Sequence, residues 1–422
     1  MEMENDIEVC RREPSSGADK AGGGLEFKVR YNPSWQQQII IVSQMGTGYV
    51  VVGGGCFGLS TALYLLEANK KVAIVRPTSI SHTAHNDTSR LYRIQQSNKA
   101  AFWKTAAARS IASMKHRGVE LVECGYVGIA NGSSSWSRAQ DGGIQGGIPA
   151  EYCVRAEGSG EWQYFPQKEN AGYFNVIKWR EEMEGKFKSL GGVVIDGSVD
   201  EVRVVEDGVE VEVEGGAVVK GEKVVVAAGA YVNTIPIHLA GGEGDIWGGV
   251  EGVSLKTQYT LSVWVSEKDV DKLPRCTMVY GGPTKGSAGE EPMDSFYYVP
   301  PVVEEGEGGR RSWRAKMGHG KWFEEIVDGR NKGAIDKWYR EGGEKKAAAE
   351  IGMLELWRKF FPEVEPVKVE IVCNGITTDT TTGEPFMEVL GGGKVGLLGG
   401  CNGYGAKAGD EVGRLMAEKI ML

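Results

Sequence analysis

The chain has 422 residues, of which 41% are hydrophobic and 25% are charged, a composition that is ordinary for a globular protein in water. Its length is sufficient for two domains, or for one large domain with an inserted subdomain. The formal net charge of −9 argues against nucleic acid or an anionic membrane surface as the main partner.

Targeting and redox signals along the chain are weak. Residues 1–46 are a polar and charged extension, and its acidic start lacks the basic and apolar regions of a signal peptide. The sequence contains no run of about 18 apolar residues that could span a membrane. Seven cysteines occur without metal-ligand or disulfide spacing, which favours a reducing compartment. We therefore expect a cytoplasmic monomer with no metal site.

The first structural signal is a glycine-rich turn between a β-branched strand at 49–52 and an apolar-periodic helix. Its three glycines fit the dinucleotide-binding pattern, which allows a sharp turn, close approach of backbone to a pyrophosphate and tight helix packing. A second strand at 71–75 completes the strand–turn–helix–strand unit. We expect a cofactor to contact the turn and the first helical residues, namely Gly53, Gly55, Cys56, Phe57 and Gly58.

The residue that follows the second strand leaves the identity of the dinucleotide open. An acidic side chain usually stands there and holds the adenosine ribose hydroxyls, whereas this chain has Arg76. An arginine at this position favours a cofactor with a 2′-phosphate, that is NADP. Alternatively, backbone or another residue holds the ribose, and Arg76 is solvated.

The rest of the chain is predicted to contain both helices and strands. Helices are predicted at 99–117, 176–190, 345–360 and 408–420. Strands are predicted at 193–195, in a hairpin within 202–213, and at 222–231, 257–265, 295–299, 313–317 and 395–398. The strand at 222–231 contains small residues near its end, including Ala228 and Gly229, where backbone can approach a cofactor closely.

This order predicts an α/β fold in which a Rossmann-like cofactor domain is interleaved with a β-rich, α+β substrate domain. The cofactor domain is assigned to residues 47–135, 190–240 and 366–422. The substrate domain is assigned to residues 136–189 and 241–365. A nucleotide domain assembled from separated pieces is unusual for a plain NAD dehydrogenase.

Four further segments carry residue types suited to redox chemistry on a bound cofactor. Residues 86–93 read NDTSRLYR, and residues 313–320 read WRAKMGHG. Residues 369–380 contain a cysteine, and residues 399–413 form a glycine turn that leads into the last helix. In these segments the chain resembles the FAD-dependent amine oxidases related to monomeric sarcosine oxidase, which include pipecolate, saccharopine and fructosyl amino acid oxidases. The resemblance covers residues 48–422, apart from glycine-rich insertions.

The resemblance implies FAD as the cofactor and assigns roles within the first two segments. Ser89 and Arg90 would lie near the isoalloxazine ring, and Arg93 would bind a substrate carboxylate through two parallel hydrogen bonds. Lys316 would lie over one face of the flavin, where a fixed cation lowers the barrier to oxygen reduction, with His319 as a neighbour. Without the resemblance, the arginines also suit a solvated basic turn, and the lysine suits an exposed strand edge.

The other two segments complete the implied site. Cys373 resembles the cysteine that is often linked covalently to the flavin 8α-methyl carbon, although a cysteine is also commonly a small buried apolar residue. The last helix would point its N-terminus at the pyrimidine end of the flavin, after a turn formed by Gly403, Tyr404 and Gly405. Lys407 would share the substrate carboxylate with Arg93. An ordinary glycine loop before a surface helix is the alternative.

Together these implied roles predict an oxidase of a secondary amine, or of an N-substituted or cyclic amino acid. Its partners would be that small molecule and oxygen, and its products an imine, which then hydrolyses, and hydrogen peroxide. Three alternatives stay open: a dehydrogenase of the same fold with a quinone or protein acceptor, a catalytically silent flavoprotein or assembly factor, and an NADP-linked reductase supported only by Arg76.

Overall fold

The computed structural model describes residues 48–79, 83–84, 86–94, 101–131, 144–145, 162–239, 246, 252–281, 296–305, 311–319 and 323–422. The extension at 1–46 lies outside these described residues. The helices are α1 Cys56–Glu67, α2 Ala101–His116, α3 Val176–Ser189, α4 Lys332–Glu341, α5 Lys346–Phe360 and α6 Gly405–Met421, with 3-10 helices at Gly229–Thr234 and Glu267–Lys272.

The strands, in chain order, are β1 Tyr49–Val52, β2 Val72–Arg76, β3 Arg90–Tyr92, β4 Tyr126–Asn131, β5 Ile144–Gln145, β6 Trp162–Gln167, β7 Gly172–Phe174, β8 Val193–Asp196, β9 Val199–Val205, β10 Gly208–Val213, β11 Ala217–Gly221, β12 Lys223–Val226, β13 Ile237–His238, β14 Ser254–Val265, β15 Thr277–Gly281, β16 Phe296–Glu305, β17 Arg311–His319, β18 Ile326–Val327, β19 Lys368–Asp379, β20 Phe386–Leu390 and β21 Val395–Gly399.

The glycine turn belongs to a six-stranded sheet with the order β20-β21-β12-β1-β2-β8. Its strands from β21 to β8 pair in parallel, and β20 runs antiparallel at one edge. Every residue of β1 and β21 is buried, as expected for a parallel sheet that is covered on both faces. The carboxyl ends of β1, β2, β8 and β12 therefore lie at one edge, where folds of this kind bind their ligands.

A nine-stranded sheet, here called the large sheet, forms most of the β-rich part. Its order is β18-β14-β17-β16-β15-β4-β6-β5, and β19 pairs with β14. The long strands β14, β16, β17 and β19 pair in antiparallel fashion. Both β4 and β19 hydrogen-bond into the large sheet, although they lie in ranges assigned to the cofactor domain. The domain boundaries themselves stay a prediction.

The predicted fold class is confirmed, with local differences in the elements. The strand expected at 222–231 ends at Val226, and a 3-10 helix follows from Gly229. The last helix begins at Gly405 rather than at 408, so Lys407 lies in its first turn. Glycine has low helix propensity, which is why the pattern alone placed that start too late. No helix of the described part of the chain is both long and apolar enough to cross a membrane.

Helices α1 and α6 pack closely and in parallel beside the six-stranded sheet. A Cβ atom at Gly413 would lie 2.5 Å from Ser60 Cβ and 2.7 Å from the Thr61 backbone nitrogen. A Cβ atom at Gly409 would lie 2.7 Å from Cys56 Cβ. Side chains do not tolerate such distances, so the two glycines allow the close approach. Because the contacts begin in the first turns, the two helix N-termini are adjacent.

Gly413→Ala is expected to destabilise the protein by about 1–3 kcal/mol, because the added methyl group overpacks a contact with backbone. The matched control is Gly185→Ala, since Gly185 is exposed in α3 and a Cβ built there has no atom within 4 Å. Alanine should stabilise that site by about 0.5–1 kcal/mol through helix propensity. Thermal unfolding followed by circular dichroism measures both changes. Shifts of the same sign would contradict the packing argument.

Candidate active site

The turn after β1 has the geometry of a phosphate cradle. Gly53 adopts a φ of +109°, and a Cβ atom there would lie 2.4 Å from the carbonyl oxygen of Ala227. A Cβ atom at Gly58 would lie 2.0 Å from the carbonyl oxygen of Gly53, so both positions require glycine. Gly55 is the N-cap of α1 and gives no side-chain cap, which leaves the first backbone N–H groups available to an anion.

The end of β12 lies next to this turn. The Ala227 N–H donates to the carbonyl oxygen of Val52 at 2.8 Å, which ties β12 to the start of the turn. Gly229 follows with a φ of +60°, and no atom lies within 4 Å of a Cβ built there. The backbone at Ala228 and Gly229 therefore borders open space beside the turn, a position compatible with their predicted contact with the cofactor.

A buried ion pair joins the segment before β3 to the large sheet. Lys316 on β17 places Nζ 2.5 Å from Asp87 Oδ2 and also donates to the carbonyl oxygen of Ser89. Arg90 Nε lies 3.0 Å from the same carboxylate oxygen. Only 2% of Lys316 is exposed. The structure thus brings Ser89, Arg90 and Lys316 together around Asp87, which is not among the site residues that the sequence predicts.

Burial and pairing set the protonation of this cluster. Burial by itself raises the pKa of Asp87, but Lys316 and Arg90 outweigh it and hold the pKa below its ordinary value. Burial lowers the pKa of Lys316 to about 8, against the opposing attraction of Asp87. Lys316 can therefore gain and lose a proton not far from neutral pH, whereas Asp87 stays ionised.

Arg314 extends the cluster along β17. It precedes Lys316 by two residues, so the two side chains lie on the same face of the strand. Its guanidinium donates to Glu304 Oε1 at 2.5 Å, to Ser262 Oγ at 3.3 Å and to Thr88 Oγ1. Side chains alternate between the two faces of a strand, so the sequence could have shown that Arg314 and Lys316 share a face. The partners of Arg314, however, come from distant parts of the chain.

Arg93 and Lys407 form a second group of buried charge. Arg93 is 8% exposed and Lys407 is 7% exposed. The Arg93 guanidinium carbon lies 4.3 Å from the ring centroid of Tyr126, and Lys407 Nζ lies 4.5 Å from that of Tyr404. Burial, and then the charge of Arg93, hold the pKa of Lys407 well below its ordinary value. No described carboxylate is close enough to Lys407 to oppose this shift.

The last glycine turn places Lys407 in this group. Gly403 has a φ of +74°, and Tyr404 is the N-cap of α6 without a side-chain hydrogen bond. The Tyr404 ring stacks on Trp103, with 5.0 Å between centroids and 18° between planes. The helix that begins at Gly405 therefore has its first N–H groups uncapped by a side chain, as the predicted role toward a cofactor requires.

His319 lies on the opposite face of β17 from Lys316. The two residues are three positions apart, and an odd separation in a strand turns side chains to opposite faces. The His319 ring packs edge-on to Phe323 at 4.9 Å between centroids and lies 6.3 Å from the ring of Tyr259. The structure therefore does not bring together these two residues that the sequence places as neighbours.

Cys373 is half-buried on β19. Its Sγ lies 2.9 Å from the position of a Cβ built at Gly342, and Lys346 is a charged neighbour. Burial raises the pKa of the Cys373 thiol. A covalent link between Cys373 and a flavin stays a prediction.

Arg76 at the end of β2 is paired rather than solvated. Its Nε and Nη2 atoms donate to the two oxygens of Glu184 at 3.0 Å and 2.9 Å, and Nη1 donates to Asp196. Two carboxylates therefore neutralise the guanidinium. This pairing weakens the argument for NADP, because a 2′-phosphate would have to compete with both carboxylates.

The sheet, the glycine turn and the uncapped helices define a protein that binds a dinucleotide at the carboxyl edge of a Rossmann-like sheet. Residues 49–419 match the family described as FAD dependent oxidoreductase (DAO), and the chain belongs to this family. The family implies FAD and not NADP. The family resemblance predicted from the sequence is confirmed.

Solved structures share the fold at low sequence identity. Fructosamine oxidase (Amadoriase II) from Aspergillus fumigatus is 13% identical with a TM-score of 0.65, over 89% of this chain and 86% of that chain. NikD, an unusual amino acid oxidase essential for nikkomycin biosynthesis, is 15% identical with a TM-score of 0.66, over 88% and 93%. Iminodiacetate oxidase from Chelativorans sp. BNC1 is 14% identical with a TM-score of 0.61, over 88% and 95%. No curated protein sequence matches the chain significantly.

Removing one partner of the Lys316–Asp87 pair is expected to destabilise the protein more than removing both. Asp87→Asn or Lys316→Met leaves a buried charge without its main partner, at a cost of about 3–5 kcal/mol. The double variant should recover a large part of that loss. Denaturant unfolding measures the cycle, and additive losses would contradict the coupling.

The control for this cycle is an ion pair at the surface with a similar distance between its charged atoms. Arg275 and Asp271 lie 2.8 Å apart, and both side chains are 82% exposed. Asp271→Asn should change the free energy of unfolding by less than about 0.5 kcal/mol.

Proposed function

We propose that this FAD-dependent oxidoreductase oxidises the C–N bond of a secondary amine, or of an N-substituted or cyclic amino acid, with oxygen as the electron acceptor. The observation that carries the proposal is the pair of buried cations Arg93 and Lys407, with no described carboxylate beside Lys407. Burial of Lys407 beside the positive charge of Arg93 is unfavourable, and a substrate carboxylate would offset that cost. The similar structures named above are oxidases of fructosamine, amino acid and iminodiacetate.

The residues present fit FAD. The turn at Gly53, Gly55 and Gly58 would hold the pyrophosphate, and the start of α6 would face the flavin. Ser89 Oγ is buried and has no hydrogen-bond partner among the described residues, as expected for a polar group that meets a ligand. When bound, FAD supplies a hydride acceptor for the substrate and a donor of electrons to the final acceptor.

Arg93 and Lys407 would fix one end of the substrate. The planar guanidinium of Arg93 can make two parallel hydrogen bonds to a carboxylate, and Lys407 adds a point charge. The rings of Tyr126, Tyr404 and Trp103 surround these cations and reduce the local dielectric constant, which strengthens the attraction. Holding one end restricts the orientations of the reacting C–H bond and lowers the entropic part of the barrier.

The same positive charge acts on the substrate amine. The lone pair of a neutral amine assists departure of a hydride from the adjacent carbon, whereas an ammonium cannot assist it. Cations such as Arg93 and Lys407 disfavour a further positive charge and therefore lower the pKa of a bound amine. Arg93 and Lys407 thus favour the neutral amine, which is the reactive form of the substrate.

Lys316 is the candidate for the oxygen step. Its pKa of about 8 leaves it mostly protonated at neutral pH and able to exchange its proton. A preorganised cation stabilises the negative charge that develops when oxygen takes an electron. Asp87 and the carbonyl oxygen of Ser89 hold the ammonium in one position, so no reorganisation is needed at that moment.

A dehydrogenase with a quinone or protein acceptor is the second candidate. The observation that favours it is the same ion pair, because Asp87 compensates the charge of Lys316 on which oxygen reduction relies. The substrate half of the reaction is common to both candidates, and only the acceptor differs.

Anaerobic addition of N-methyl or cyclic amino acids to the FAD-loaded protein is expected to bleach the flavin absorbance. Air should restore the absorbance with release of one hydrogen peroxide per amine oxidised. Bleaching that persists in air and is reversed by a quinone would identify the dehydrogenase. Bound FAD that no amine bleaches would rule out both candidates and favour a silent flavoprotein.

A variant separates the two halves of the reaction. Lys316→Met should slow reoxidation by oxygen by about 10²–10³-fold, because it removes a preorganised charge, and should slow anaerobic bleaching much less. The matched control is Lys104→Met, since Lys104 is exposed on α2.

Carboxylate binding is expected to be coupled to proton uptake by Lys407. Burial and Arg93 lower the pKa of Lys407, and a bound carboxylate raises it again, so affinity should fall as pH rises through the pKa of the ligand-free protein. Titration calorimetry with acetate in buffers of different ionisation enthalpy measures the uptake, with acetamide as the uncharged control. In Lys407→Met the uptake should vanish and acetate should bind about tenfold or more weakly. Acetate binding without proton exchange in the unmodified protein would contradict this assignment.

A further inference from the structure

The position that should hold the adenosine ribose carries the wrong charge. Ribose hydroxyls donate hydrogen bonds, and a carboxylate at the end of the second strand usually accepts them. Arg76 has donors only and cannot accept. Fold and family imply FAD, so the acceptor must come from elsewhere in the chain.

The register of the sheet supplies a carboxylate one strand away. β8 pairs with β2 in parallel, and Asp196 is the partner of Arg76 in that register. The Gly197 N–H donates to the Arg76 carbonyl oxygen at 2.8 Å, which fixes the two strand ends side by side. Neighbouring strands are about 4.8 Å apart, so Asp196 lies one strand spacing from the usual position of the acid.

Arg76 bridges this spacing. Its side chain passes over the glycine turn, since a Cβ built at Gly54 would lie 3.0 Å from Arg76 Cδ. Its guanidinium binds Glu184 through Nε and Nη2 and binds Asp196 Oδ1 through Nη1. The Asp196 side chain is 37% exposed, and Arg76 donates to one of its two carboxylate oxygens, Oδ1.

We propose that Asp196 accepts the hydroxyls of the adenosine ribose of FAD, and that Arg76 is the positioning residue that holds this carboxylate beside the glycine turn. The carboxylate that binds the ribose is thus displaced by one strand from its usual position, and Arg76 holds it in place. A 2′-phosphate is excluded for the same reasons, because Arg76 is already neutralised and Asp196 repels a second anion. The inference rests on FAD as the cofactor and is independent of the substrate.

Binding of nucleotide fragments to the full-length chain, produced under riboflavin limitation, tests the proposal. In calorimetry, ADP should bind about tenfold or more tightly than at least one of 2′-deoxy-ADP and 3′-deoxy-ADP, because one charge-assisted hydrogen bond is lost. Adenosine 2′,5′-bisphosphate should bind no better than AMP. Equal binding of ADP and both deoxy analogues would overturn the role of Asp196, and preference for the 2′-phosphate would restore the NADP-type site.

Variants separate the ribose acceptor from its support. Asp196→Ala should weaken ADP to the level of the deoxy analogue and leave that analogue unchanged, whereas Asp200→Ala, at an exposed aspartate on β9, should preserve the discrimination. Arg76→Met should lose the discrimination as well, and Arg76→Lys should recover part of it. Discrimination retained in Arg76→Met would overturn the positioning role.

A further outcome separates this inference from the function proposed above. FAD that binds and is bleached by an amine, without discrimination among the ADP analogues, would overturn the ribose assignment alone. Wild-type chain that fails to bind FAD at all would overturn the proposed function together with it.

Discussion

The ion pair between Lys316 and Asp87 connects parts of the chain that are 229 residues apart and fixes the segment before β3 against the large sheet. Charged groups buried to this extent are tolerated only when they are paired and hydrogen-bonded. The distance between these two regions is therefore limited by the length of a short hydrogen bond. Arg90 and Ser89 contact this pair directly, and Arg314 lies beside Lys316 on the same face of β17.

Two lysines of this protein are buried, and burial disfavours the charge of both, but their charged neighbours differ. Lys316 has a carboxylate partner, so its charge contributes to the position of the segment and is partly compensated. Lys407 lies beside Arg93 and has no described carboxylate to oppose the fall in its pKa. A compensated charge favours a fixed structure, whereas an uncompensated one favours an anionic ligand. In the function proposed above, Arg93 and Lys407 recognise the substrate, and Lys316 acts in the oxygen step.

Much of the fold could be predicted from the sequence because its signals are local. The glycines after β1, the valine-rich strands and the apolar period of α1 each depend on neighbours within a few residues, and the parallel sheet follows from their alternation. The start of α6 and the existence of α4 were harder to predict from the sequence. A glycine-rich helix start has weak propensity, and α4 is a short helix whose buried residues Ile335, Trp338 and Tyr339 take their meaning from tertiary packing.

The sequence by itself indicated a dinucleotide at the glycine turn, because glycine geometry carries that information without reference to distant contacts. Its resemblance to the oxidase family, and not residue type alone, predicted Arg90, Arg93, Lys316 and Lys407 as the cations of the site. Only the tertiary structure decided which carboxylate each cation meets: Asp87 for Lys316, Glu184 and Asp196 for Arg76, and none of the described ones for Lys407. It also turned His319 to the far face of its strand. Such pairings depend on strand register and sheet order, which bring together residues that a single sequence leaves more than a hundred positions apart.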